Sequence, residues 1–273
     1  MRKFVIVVLS LLLVLGLVAG CGASAAPSNQ QPAAGDNLSP DLKAIKDRGV
    51  LKVGVKVDVP KFGYKDPATA KIDGFEIDIA RALAKKLLGD PGKIELTAVT
   101  AKTRGPLLDS GDVDMDIATF TITEQRKQSY NFSDPYYTDG VRIMVKKAAG
   151  YQSLKDLDGK KIGVAQGATS KDALQAEAQK QGVKVNFLEF GTYPEIKTAL
   201  DAGRVDAFSV DGAILMGYMD DTTVLLPDKF APQEYGIATK KGNDGLAKFV
   251  NDTVNDMKKS GELDNLIKKW GLK

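Results

Sequence analysis

The chain has 273 residues, 43% hydrophobic and 27% charged, which suits one large or two ordinary globular domains and argues against disorder or a bundle of membrane spans. With no histidine and one cysteine, His-containing catalytic triads, His-ligated zinc and an internal disulfide are excluded. The net charge is only +3, and without a basic block or RNA-binding signature nucleic acid is not an expected partner. No metal-binding cluster or cofactor motif is found either.

In chain order, Arg2 and Lys3 precede the apolar run Phe4 to Val18, and Val18-Ala19-Gly20 lead into Cys21. A positive start, a short apolar stretch and small residues mark a secretory signal over 1–20 rather than a spanning helix. Small residues directly before a cysteine resemble a bacterial lipobox. That resemblance implies that Cys21 is lipidated, with palmitate among the acyl chains, and becomes the mature N-terminus. Removal of 1–20 takes two basic residues and lowers the charge from +3 to +1. Residues 21–38, rich in Ala, Ser, Gly, Pro, Gln and Asn, read as the lipidated cysteine and a flexible tether.

Ser39-Pro40-Asp41 is a helix-start pattern, and the helix should end at Gly49. Val50 to Val55 predicts a strand, Lys56 to Phe62 a loop at its end and Lys71 to Asp73 a turn. Gly74 to Leu88 predicts an amphipathic helix with Phe75, Ile79, Ala82, Leu83 and Leu87 inward. Ile94 to Val99 and Asp112 to Ala118 read as strands, separated by a loop at 101–104 and a short helix near Pro106. The rhythm then repeats: strands over 141–146, 161–165, 183–187 and 205–210 alternate with helices over 153–157, from about 170 to 180, from the capping box Thr192-x-x-Glu195 to Ala202, and from about 213. Two α/β lobes of parallel, doubly wound type follow, with ligands expected at the carboxyl ends of their strands. Helices over 246–259 and 262–270 end the chain, with Leu263, Ile267 and Trp270 as a buried stripe.

One stretch draws attention, Thr119 to Arg126. Thr123 reads as an N-cap and Arg126 falls in the first helical turn, where a cation opposes the macrodipole. Free helix N–H groups, hydroxyls and a guanidinium fork together make a receptor for a carboxylate.

Gly74-Phe75-Glu76-Ile77-Asp78-Ile79, Thr121-Ile122-Thr123-x-x-Arg126 and Phe132-Ser133-Asp134-Pro135-Tyr136-Tyr137 together resemble the polar amino-acid-binding proteins of bacterial ABC importers, solute-binding family 3. The resemblance covers essentially everything after the tether. It implies a two-lobe periplasmic-binding-protein-like α/β fold of type II, closing around ligand on two hinge crossovers. Carried over, lobe one is 39–135 plus 236–273, lobe two is 141–230, and the hinge strands are 136–140 and 231–235. Arg126 is then expected to take a ligand α-carboxylate, helped by the Thr121 hydroxyl and the Thr169 N–H. Asp211 is expected to hold the α-ammonium, with Thr119 sharing it. Lys56, Arg104 and Tyr193 are expected at the ligand side chain.

Lys56-Val57-Asp58-Val59-Pro60 and Lys102-Thr103-Arg104-Gly105-Pro106-Leu107 are similar to the aspartate- and glutamate-binding members. Two cations facing one pocket also call for an anion between them, unless either is paired within the protein, for example Lys56 with Asp58. Val59 stands where many members carry an aromatic near the ligand's apolar stem. The expected function is a lipid-anchored, extracytoplasmic, monomeric receptor that captures aspartate or glutamate and delivers it to the ABC permease transmembrane subunits. The alternative is a glutamine or general polar amino acid receptor. An enzyme is not expected. Dehydratases of this fold need a catalytic acid aimed at a leaving hydroxyl, and the pocket loops carry no spare glutamate.

Overall fold

The computed structural model describes residues 38–272. The signal 1–20, Cys21 and the tether up to residue 37 lie outside the described residues.

α1 (Pro40–Arg48) starts with proline at its first turn and ends at Gly49, which takes φ 76°. Asp41 accepts the Leu246 N–H at 2.7 Å, tying the two ends of the described chain together. β1 (Leu51–Val55) is almost wholly buried. The loop and turn expected next contain three short antiparallel strands, β2 (Asp58–Val59), β3 (Gly63–Lys65) and β4 (Ile72–Asp73), in the order β2-β3-β4. Strands of two or three residues are too short to show a period of two, so alternation could not announce them. Gly74, at φ 152°, then turns the chain into α2 (Phe75–Leu88). A Cβ there would collide with the Phe62 carbonyl, because the first N–H groups of α2 donate back to the Lys61 and Phe62 carbonyls at 2.8 and 2.9 Å.

β5 (Ile94–Ala98), α3 (Arg104–Ser110), β6 (Met115–Ile117), α4 (Glu124–Ser129) and β7 (Tyr130–Phe132) follow. β6 is shorter than the predicted 112–118, since Asp112 N–H folds back onto Leu107 and Asp114 is held by Arg48 and the Lys52 N–H. β8 (Tyr137–Lys146) is one ten-residue strand. After it come β9 (Lys161–Ala165), α5 (Ser170–Gln181), β10 (Asn186–Phe190), α6 (Tyr193–Asp201), β11 (Ala207–Asp211), α7 (Gly212–Met216) and β12 (Thr223–Leu225). The strand predicted at 183–187 begins three residues later. Gly182 (φ 70°) ends α5 and Val183 N–H bonds Ala178 O at 2.8 Å, so these residues close the helix in a Schellman pattern instead of extending. β13 (Phe230–Tyr235), β14 (Ala238–Lys240), α8 (Asp244–Ser260) and α9 (Glu262–Lys269) complete the chain.

The first sheet has the order β5-β1-β6-β14-β7, with β1 parallel to β5 and β6 and β14 antiparallel to its neighbours. The second runs β10-β9-β11-β8-β12, with β13 paired to β8. The chain's last strand therefore sits in the sheet begun by its first, and α8 packs on α1. Trp270 is only half-buried, and its indole N–H donates to Asp78 at 2.8 Å. The stripe it was assigned to is completed by buried Leu263, with Ile267 packed against the core.

Candidate functional site

Residues after β1, β5, β6 and β9, and the last residue of β11, meet where the two sheets face each other, at the carboxyl ends of parallel strands. Contacts cross between the lobes. Arg126 Nη2 donates to Gly167 O at 2.9 Å, Lys102 Nζ to Gln166 Oε1 at 3.1 Å, and the Tyr218 hydroxyl to Asp58 O.

Thr123 is the N-cap of α4, its hydroxyl accepting the Arg126 N–H at 3.1 Å. This fixes Arg126 in the first turn, and its guanidinium also donates to Thr121 O at 2.7 Å. Burial first, and the Arg104 charge second, bring its pKa down to about 9, so it stays charged at neutral pH. With two of its five N–H groups on carbonyls and no carboxylate in ion-pair contact among the described residues, it is suited to an incoming anion. Asp211, 5% exposed, is the complement in the other lobe. It accepts the Tyr235 hydroxyl at 2.5 Å, and burial, reinforced by Asp139, pushes its pKa up to about 7. An ammonium beside it would reverse that shift.

One of the groups expected on the ligand carboxylate, the Thr121 hydroxyl, is engaged within the protein. The Thr121 and Thr169 hydroxyls both donate to Gln233 Oε1, at 2.9 and 2.6 Å. The Thr121 proton is thus committed within the protein, while the Thr169 N–H stands at the start of α5, where the Thr169 side chain makes no capping bond and helix N–H groups lack intrahelical partners. Gln233 was missed. It is a buried polar residue in an extended crossover, where β-branched or aromatic residues are usual, and that was its only signal.

Thr119 takes φ +46°, a left-handed conformation that costs a β-branched residue roughly 1–2 kcal/mol. Its backbone is held from both ends: Glu76 Oε1 accepts its N–H at 2.6 Å, and Arg104 Nη1 donates to its carbonyl at 2.9 Å and to Ala118 O at 2.6 Å. The Thr119 hydroxyl is buried without a hydrogen-bond partner.

Lys56, Arg104 and Tyr193 do converge, all buried. Lys56 Nζ lies 4.7 Å from the centre of the Tyr193 ring, and burial lowers its pKa while Asp58 opposes that. It is also ion-paired to Asp58 at 3.0 Å. Hence Lys56 does not face the pocket as an unmatched cation, and the two-cation argument for an acidic guest loses one of its members. Arg104 remains. It lies 4.0 Å from the Phe120 ring centre, and no ion pair joins it to another described residue. Around it sit Glu76, with burial pushing its pKa up to about 7, and Asp116, which burial holds well above the carboxylate range. Val59 is buried in the core.

The sequence model for bacterial extracellular solute-binding proteins, family 3, matches residues 51–273. The chain belongs to that family. The glutamine-binding protein GlnH of Bacillus subtilis (strain 168), from an ABC transporter, is 40% identical over 273 residues, spanning 99% of this chain and 97% of the relative. The glutamine-binding protein of Geobacillus stearothermophilus is 42% identical, over 89% of this chain and 94% of its own. An L-glutamate/L-aspartate-binding protein of Pseudomonas aeruginosa is 30% identical, over 88% and 82%. An ancestral arginine-binding protein solved with glutamine superposes with a TM-score of 0.73 at 40% identity, over 82% of this chain and 98% of that one. The fold is the two-lobe, type II α/β fold of such binding proteins, and these relatives are receptors rather than enzymes. Among the described residues no helix is long and apolar enough to cross a membrane, and no group of three or more acidic or cysteine side chains is placed to hold a metal.

Proposed function

We propose that this amino-acid-binding protein is the receptor of an ABC importer for glutamine. Lobes 39–135 with 236–273 and 141–230 would close on it about 136–140 and 231–235. The receptor would be held outside the membrane by lipid on Cys21 and would hand its guest to the permease. Arg126 takes the α-carboxylate with its remaining N–H groups and Asp211 the α-ammonium, one charge from each lobe. The observation that favours an amide at the far end is the pairing of Lys56 with Asp58. Beside it, Arg104 Nε and the second carboxylate oxygen of Asp58, Oδ2, are buried without hydrogen-bond partners, Oδ1 being held by Lys56. One unspent donor and one unspent acceptor match the carbonyl and NH₂ of a carboxamide, whereas a carboxylate offers acceptors only. The glutamine-binding relatives at 40% and 42% identity support the same reading.

The acidic reading keeps one argument, the unpaired guanidinium of Arg104, and makes glutamate the second guest. Calorimetry of the purified protein with glutamine, glutamate, aspartate, arginine and cystine at pH 7.5 tests the order. Glutamine should bind tightest, and aspartate or glutamate binding tenfold tighter than glutamine would overturn it.

A further inference from the structure

The glutamine reading turns on how the Arg104 charge is matched, and the group placed to match it is Glu76, in the first turn of α2. Its side chain is completely buried. Oε1 accepts the Thr119 N–H at 2.6 Å and the Tyr136 hydroxyl at 2.5 Å, while Oε2 has no hydrogen-bond partner. Arg104 is fixed to the carbonyl of the same Thr119, and its Nε is likewise buried and unpartnered. Acid and base are thus moored to opposite ends of one strained residue, near enough for their charges to act on each other but without ion-pair contact.

We propose that Glu76 is a specificity-determining counter-ion: ionised, it neutralises Arg104 and leaves the site to a carboxamide; protonated, it frees Arg104 to take a side-chain carboxylate. The chain then receives glutamine or glutamate according to one buried proton. This rests on the proposed amino-acid reading and deepens it.

The other charges facing Glu76 do not substitute for it. Lys56, beyond the end of β1, is paired with Asp58. From β6, Asp116 has both oxygens without hydrogen-bond partners, and burial pushes its carboxyl well above its ordinary value, against the charged form. Tyr136, from the crossover, is a neutral donor whose own pKa is pushed well up by burial and by Glu76. On α2 itself, Asp78 and Arg81 bond each other, and the Asp73 of β4 also bonds Arg81. Tyr64 and Lys65 of β3 and Glu95 of β5 are exposed. Lys269 of α9 pairs with Asp78. Burial places the Glu76 carboxyl near neutrality, with a pKa of about 7, so both of its states lie within an ordinary pH range.

The test is calorimetry with glutamine and with glutamate from pH 6 to pH 8. Asp211 also titrates in this range but meets the α-ammonium of both ligands, so the ratio of the two dissociation constants cancels it. The glutamate-to-glutamine ratio of Kd should rise at least about tenfold between pH 6 and pH 8, since each guest requires one protonation state. Glu76→Gln should flatten that slope and shift preference toward glutamate at pH 8. Repeating the wild-type titrations in buffers of different ionisation enthalpy gives proton uptake directly and needs no variant. Near pH 7, glutamate should take up more protons than glutamine, by up to about one per site. Equal slopes and equal uptake for two ligands that both bind would overturn the role of Glu76 and leave the receptor reading intact. Binding of neither ligand at any pH, with another amino acid bound instead, would overturn the glutamine reading and this inference with it.

Discussion

The two faces that meet at the site are built differently. The first lobe brings a dense set of charged groups, Lys56 with Asp58, Arg104 with Glu76 and Asp116, and Arg126, several of them tied into the backbone of one short turn. The second brings the buried carboxylate of Asp211, with Tyr193 and Tyr218 and a helix start at Thr169. Tyr193 and Tyr218 pack on each other and on Phe208, with ring centres 5.9 to 6.5 Å apart. Buried charges are costly unless their environment is fixed beforehand, so the lobe rich in them must be organised before ligand arrives. The other lobe can act as a cover that adds one pole and excludes water. On the proposed reading, selection belongs to the first face and closure to the second.

The sharpest way to break that division is Lys56→Met. If Lys56 is structural, removing it strands Asp58 as a buried charge and costs roughly 3–5 kcal/mol of stability. Chemical denaturation should show this loss, and the glutamine-to-glutamate preference measured on the folded fraction should move further toward glutamine, because the stranded Asp58 repels a side-chain carboxylate. A changed ratio with unchanged stability would return Lys56 to the selecting set.

A smaller effect is expected in the second lobe. Asp211→Asn keeps the shape but removes the charge, and should weaken every amino acid alike by about 1.5–3 kcal/mol. The pH dependence follows by linkage. Asp211 has its pKa raised to about 7, and the ammonium needs it ionised, so ligand binding releases a proton below that pH. Affinity should therefore fall as pH drops from 8 to 6, and the Asn variant should lose this component.

The smallest effect is Tyr218→Phe. It deletes one hydrogen bond across the cleft to Asp58 O, worth about 0.5–1.5 kcal/mol. The dissociation rate seen by stopped flow should rise a few-fold with the order of ligands unchanged. A reordered ligand series would mean that the cover selects too.

Much of the fold was legible because helices announce themselves chemically. The Thr192–Glu195 capping box is formed, with Glu195 accepting the Thr192 N–H at 2.9 Å, and Thr123 caps α4 as its position suggested. Strands were harder to bound, since Val183 and Val205 look β-prone yet their N–H groups fold back onto Ala178 and Ala199. At the site, Arg126 drew attention by its place in a helix's first turn, whereas Arg104, Tyr193 and Asp211 were indicated by the family resemblance. What could not be read was pairing. Whether Lys56 meets a ligand or Asp58 depends on a loop that folds into β2, and nothing local to the sequence decides it. Glu76 was hidden for a different reason: an acid in a helix's first turn reads as a partner for the dipole, and its burial emerges only once β6 and the crossover pack over it.

β8 runs without interruption from the crossover into the second sheet, and β13 returns beside it with Tyr137 opposite Tyr235 and Asp139 opposite Gln233. The connection between the lobes is consequently a hydrogen-bonded ribbon and not two loose cords. Such a ribbon bends across its width far more readily than its strands slip past one another, because slipping by one residue would break the ladder and turn every side chain over. On the proposed hinge reading it would act as an axle. Each opening stroke would have to retrace the same arc, so a partner docked on both lobes would meet the same spacing of contact points in every cycle.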